Sequence, residues 1–198
     1  MKKNSTLEVL KEAINNVDER YYRTTNPIER GGVPTEYSQL DIELNLEQKF
    51  VLELYHQMRL LIGKENLLEG EIYKRVVSNN DSSTLYKYAE KKKIKGIKPD
   101  LVLHRGQNIN DPAYQLLALE CKVGLKNNEF EEDFFKLMIY DDSLKFQNSV
   151  FLIVNHDAED VRINLASYKE NEELPYLKSP RIKILVKEKF GADIQEIL

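Results

Sequence analysis

The chain has a single cysteine, Cys121, so no intrachain disulfide can form and a cysteine-built zinc site is excluded. Its three histidines, His56, His104 and His156, lie in separate segments and form no HExxH pattern. A metal held by this chain is therefore expected to be a hard cation on oxygen ligands. Long apolar runs are also missing. The best, Val150-Phe151-Leu152-Ile153-Val154, is far too short to cross a bilayer, and no membrane partner is expected. The N-terminal MKKNSTLEVLKEA has no apolar h-region, and a cytoplasmic location is expected. Positive charge is not in excess: the formal net charge is -4 and the pI about 5.6. That argues against a surface that is basic throughout. It leaves room for a local basic patch, and a carboxylate metal site itself adds negative charge. No repeat, low-complexity tract or clear linker divides the 198 residues, so one domain is expected.

What is present is an α/β pattern. Ser5-x-x-Glu8 is a capping box, and Leu7, Leu10, Ile14 and Val17 share a face, predicting a helix from Thr6 to Tyr22. Asn26-Pro27, Gly31-Gly32 and Pro34 mark a loop. A second helix is predicted from Asn45 to Gly63, carrying Leu46, Phe50, Leu54, Met58 and Leu61. Glu71 to Val77 reads as a strand and Thr84 to Lys93 as a short helix. IKPDLVLHRG and YQLLALECKVG read as two strands able to pair around Asn110-Asp111-Pro112. A helix over Asn128–Tyr140, a buried strand over Ser149–Asn155, a helix over Asp160–Tyr168 and a late, edge-like strand over Arg181–Lys187 follow. Helix, three strands, helix and strand, with helical additions at both ends, make a mixed layered domain.

The chemistry concentrates on two of these strands. Residues two apart on a strand share a face, so Glu120 and Lys122 point one way and Cys121 the other. If the neighbouring strand pairs, Asp100 and Glu120 can share one cation. Lys122 then stands beside it, able to orient or help deprotonate a water. Only one of the six prolines, Pro99, is followed by aspartate, and the one strand-borne ExK comes twenty residues later. The other matches, Glu47-Gln48-Lys49 and Glu90-Lys91-Lys92, look helical. Leu116-Leu117-Ala118-Leu119 runs straight into Glu120, which places an acid and a base near the interior, where charge must be paired or metal-bound. The bland reading is a structural Glu-Lys pair at a strand end.

Pro99-Asp100 with Glu120-Cys121-Lys122 resembles the PD-(D/E)xK nuclease superfamily, which has the restriction-endonuclease-like fold: a central mixed sheet flanked by helices in the order αβββαβ. The likeness covers roughly residues 45 to 155, with 1–40 and 160–198 as additions. The resemblance implies Mg²⁺, with Mn²⁺ as a substitute, held by Asp100, Glu120 and the carbonyl of Cys121, with Lys122 assisting the water. It also implies a glutamate from the preceding helix, for which Glu47 and Glu53 are candidates. EIYKR, PDLVLHRG, LLALECKVG and DFFKLMIY are similar to small bacterial and phage-type members, which adds Glu71 and Asp133 as accessory residues.

Around this core, Asp133, Lys136 and Tyr140 form one helical stripe. Lys136 can meet a phosphate and Tyr140 a sugar or base; the alternative is a solvated ion-paired face. His104 shares the face of Asp100 at about 13 Å, which suits a residue behind the ligands or on the substrate side rather than a metal ligand. The tract YKYAEKKKIKGIK brings Lys87, Lys91, Lys92, Lys93, Lys95 and Lys98 up to Pro99, a candidate phosphate approach or simply a solvated helix end. The leading expectation is a Mg²⁺-dependent nuclease acting on DNA, as a homodimer or in two encounters if both strands are cut. The competing readings are a catalytically silent nucleic-acid-binding or assembly module on the same fold, and an unrelated α/β interaction protein.

Overall fold

A computed structural model describes residues 5–22, 39–71, 74–75, 84–94, 96–105, 112–125 and 129–198. The expected loop at 26–34 and the Asn110-Asp111 connection lie outside them. Helix α1 (Thr6–Asn16) starts as expected, with the Ser5 hydroxyl accepting from the Glu8 N–H at 3.3 Å. It stops six residues before Tyr22. Asp18 opens a separate 3₁₀ turn over Glu19–Tyr21 by accepting from the Arg20 N–H at 3.0 Å, a local bond that competes with helix continuation. Helix α2 (Gln39–Leu61) begins upstream of Asn45, so the expected cap is an interior residue.

The first strand, β1 (Asn66–Gly70), precedes the predicted Glu71–Val77. Leu68 is its buried residue and stands opposite Leu103. Within that predicted span Lys74–Arg75 forms a strand, β2, which pairs with β3 (Gly96–Ile97) after helix α3 (Thr84–Lys91), while Ile72, Tyr73, Val76 and Val77 lie outside the described residues. Strand β4 (Leu101–Arg105) then pairs antiparallel with β5 (Gln115–Val123), as the sequence implies. Helix α4 (Glu129–Asp142) and strand β6 (Ser149–Val154) follow within two residues of their predicted bounds. Helix α5 (Ala158–Glu170) is capped by the Asp157 carboxylate, which accepts from the Glu159 and Asp160 N–H groups. Strand β7 (Ile182–Lys187) is not the edge, because β8 (Gln195–Glu196) pairs outside it.

The sheet is mixed and six-stranded, ordered β1-β4-β5-β6-β7-β8, with β5, β6 and β7 parallel and the others antiparallel. Period-two alternation sorts its side chains into two layers. Leu117, Leu119 and Cys121 of β5 pack with Leu10 and Ile14 of α1 and with Phe50, Leu54 and Met58 of α2. Ala118, Phe151 and Ile153 pack under Phe134, Leu137 and Met138 of α4 and under Val161 and Leu165 of α5. Glu120 and Lys122 share the parity of Ala118, so they project toward α4. Among the described residues no helix is long and apolar enough to cross a membrane.

Candidate active site

Leu101 stands opposite Leu119, and continuing that register sets Asp100 opposite Glu120. The Asp100 N–H donates to the Leu119 carbonyl at 3.0 Å, and its Oδ2 accepts from the Cys121 N–H at 2.7 Å. Strand β4 starts only at Leu101, so the carboxylate serves the β5 backbone where a strand partner would. The N–H and C=O of one strand residue face the same neighbour. The carbonyl of Cys121 therefore points to the Asp100 side, while its thiol is buried on the α2 side and burial holds it well above the usual thiol range.

Glu120 is only 3% exposed. Its Oε1 accepts from the Tyr140 hydroxyl, and its Oε2 lies 3.4 Å from Lys136 Nζ. Lys136 also donates to Asp133 Oδ1 at 2.5 Å. Lys122 Nζ donates to Glu47 Oε1 at 3.0 Å and stands 3.8 Å from Asp133 Oδ2. The other expected helix glutamate, Glu53, accepts from Gln57 of its own helix at 2.7 Å and is not among the residues drawn together. Glu71 lies just past β1 with φ +49°, exposed, its N–H bonded to the Asp100 carbonyl and its carboxylate 2.6 Å from Lys98.

The stripe on α4 is not a solvated face: Asp133 and Tyr140 are buried. Aromatic and apolar residues flank the stripe on both sides, so the helix is covered nearly all round. Tyr140 is thus a partner of Glu120 and unavailable to pack on a sugar or base. His104 is likewise buried, 1% exposed, beside the Phe146 ring at 5.9 Å and 3.8 Å from Glu69, which removes it from a substrate-facing position. Its strand is interior to the sheet, between β1 and β5. Lys98 is exposed, and Lys95 lies outside the described residues.

The charges explain the protonation pattern. Burial pushes Asp100 up to about 6, against the pull of the Cys121 N–H and with the help of Glu47. Burial pushes Glu120 up to about 8; the Lys136 ammonium opposes this, and Asp100 and Asp133 add to it. Burial also raises Glu47, despite Lys122. For Lys122, burial works downward but the carboxylates of Asp133 and Glu47 outweigh it and hold the ammonium charged. Lys136 is held charged in the same way by Glu120 and Asp133. Four acids thus face two ammonium groups, and the cluster is short of positive charge.

Among the described residues no three His, Cys, Asp or Glu groups already stand at metal-ligand spacing. The ammonium groups bridge the acids instead, Lys122 between Glu47 and Asp133, Lys136 between Glu120 and Asp133. The donor set still fits a hard cation. It is made of carboxylate oxygens, one of which, Asp133 Oδ2, is buried with no hydrogen-bond partner among the described residues.

Two clefts reach the cluster. One, of about 580 Å³, is lined by Glu47, Val51, Tyr55, Glu71 and Asp100. The other, of about 720 Å³, is lined by Tyr88, Lys92, Lys98, Phe135 and Lys136. The tyrosines interleaved with lysines in YKYAEKKK signal the aromatic part of the second, whereas the sequence does not single out Phe135 of α4. Searches against protein-family models, curated proteins and solved structures find no significant match to this chain.

Proposed function

We propose that this protein is a Mg²⁺-dependent nuclease of the PD-(D/E)xK type, on a restriction-endonuclease-like core, that hydrolyses phosphodiester bonds in DNA. One observation carries the reading. The β4–β5 register sets Asp100 opposite Glu120, and the same cluster holds Lys122, itself positioned by Glu47. Asp100, Glu120 and the Cys121 carbonyl are the groups that would hold the cation, Mg²⁺ or Mn²⁺. When bound, such an ion stabilises charge on the phosphoryl oxygens and acidifies a water. Lys122 orients that water and is kept charged by Glu47 and Asp133. Lys136 and Tyr140 fix the rotamer of Glu120, so the carboxylate stays aimed at the site without a search.

The test is nicking of supercoiled plasmid by purified protein with Mg²⁺ or Mn²⁺. Lys122→Ala and Glu120→Gln should each reduce the rate by about 100-fold or more, the scale of a positioned acid–base group, while circular dichroism shows a retained fold. Nicking that survives Lys122→Ala would show the assignment of Lys122 to be wrong. A second reading, a silent nucleic-acid-binding or assembly module, draws on the lysine bridges, which already close the cluster without a cation. It predicts DNA retention in a gel shift and no cutting even with Mn²⁺. One site cuts one strand, so linearisation beyond nicking would need a homodimer or two encounters, and a homodimer predicts an initial linearisation rate that rises more steeply than linearly with protein concentration.

A further inference from the structure

The cleft between α3, β3 and α4 has a makeup that the carboxylate cluster does not explain. Its volume, about 720 Å³, falls within the range of roughly 300–1,000 Å³ typical of small-ligand sites. One wall is aromatic. Tyr88, half-buried, leans on Phe135 with ring centroids 4.9 Å apart and 54° between the planes. The rim is cationic. Lys92 Nζ stands 5.6 Å from the centre of the Tyr88 ring, and Lys98 is exposed beside it in the lining. Lys136 belongs to the same lining and also reaches Glu120 Oε2 at 3.4 Å, so the cleft opens onto the acids.

An aromatic wall next to lysines suits a base with its phosphate. In a duplex both faces of a base are already stacked, and only an unpaired base can offer one to Tyr88. Glu131 and Glu132 also line the cleft. They repel an anion from their side, which confines a phosphate to the lysine rim, and they can accept from exocyclic amines of a base. The carboxylate of Glu71, now 2.6 Å from Lys98, is the group that a phosphate there would displace. We infer that this cleft binds one unpaired nucleotide of single-stranded DNA, with its base against Tyr88 and its phosphate on Lys92 and Lys98, one residue away from the carboxylate site. The inference rests on the nuclease reading for the role of its neighbour, but the binding itself needs neither metal nor cutting.

Fluorescence anisotropy in EDTA tests it, with a labelled oligothymidylate and a blunt hairpin duplex of equal length as probes. The full chain should bind the single strand more tightly than the duplex. Tyr88→Leu should weaken single-strand binding about fivefold or more, the lower end of the effect of losing one stacked base. Lys92 is exposed, so Lys92→Ala leaves the fold intact; it should lower the salt slope by about 0.7, the value for one phosphate contact on a single strand. Duplex binding as tight as single-strand binding, or wild-type binding by both variants, overturns the inference. A chain that binds in this pattern but never nicks plasmid refutes only the nuclease reading; one that nicks but lacks the pattern refutes only the nucleotide cleft.

Discussion

Glu120 concentrates the unusual chemistry of the chain. It sits at the boundary between an apolar strand and an ionic cluster, and burial raises its carboxyl to about 8. The Tyr140 hydroxyl, itself buried, donates to it. A donor to a carboxylate favours the charged form, so this bond holds Glu120 below where burial alone would put it. Tyr140→Phe removes the donor and leaves the aromatic packing. The variant should lose about 1–3 kcal/mol of unfolding free energy, the range for stranding a buried polar partner. Its Glu120 carboxyl should titrate at higher pH than in the wild type when followed by ¹³C NMR. A Glu120 titration unmoved by Tyr140→Phe would show that the hydroxyl does not govern the acid.

Helix α2 reaches the site with one residue. Glu47 and Glu53 are six residues apart, about 9 Å along the axis and about a third of a turn apart around it, so they cannot serve one cation together. Glu47 meets Lys122, whereas Glu53 meets Gln57. Glu47→Ala should therefore lower plasmid nicking by about tenfold or more through loss of a positioned lysine, while Glu53→Ala should nick like wild type. Equal effects of the two would remove α2 from the chemistry. The sequence reveals the β4–β5 half of the cluster but only part of the helix half, and the reason is physical. Pro99, the apolar run Leu116–Leu119 and the fixed parity of strands determine where Asp100, Glu120 and Lys122 point. A helix stripe carries no such information about depth. Asp133, Lys136 and Tyr140 share a face in any helix, and only the packing of Phe130, Phe134 and Phe135 around them decides that the face is buried. The choice between Glu47 and Glu53 depends on how α2 is set against the sheet, which no local pattern encodes. Strand β1 escapes the sequence for a related reason. Leu67-Leu68 is too short an apolar run to mark a strand, and pairing of Leu68 with Leu103 is what defines it, while the predicted Glu71–Val77 strand is met in part by Lys74–Arg75.

Across the whole molecule, the unbalanced acids make stability depend on pH and on divalent cations together. A carboxyl with a raised folded pKa binds its proton more tightly in the folded state, so protonation favours folding. That stabilisation is fully present below the unfolded pKa and is lost as pH rises through the folded value. For Asp100 the window runs from 3.8 to about 6, and for Glu120 from 4.5 to about 8. Lys122 and Lys136, held charged above the ordinary lysine range, add no slope there. Glu196 is held low, chiefly by its hydrogen bond from Lys183, and acts with the opposite sign, but its contribution is lost only as pH falls below 4.5. Without divalent ions the thermal midpoint should therefore fall between about pH 5.5 and pH 8.5. A cation held by these acids binds their ionised form, releases protons and stabilises the folded chain by mass action. Millimolar Mg²⁺ should then raise the midpoint more at the alkaline end than at the acid end. Glu120→Gln should flatten the apo dependence and shrink the Mg²⁺ increment. Scanning calorimetry across this range gives all four comparisons, and a Mg²⁺ increment that is equal at both ends, or unchanged in Glu120→Gln, would remove Glu120 from the cation site.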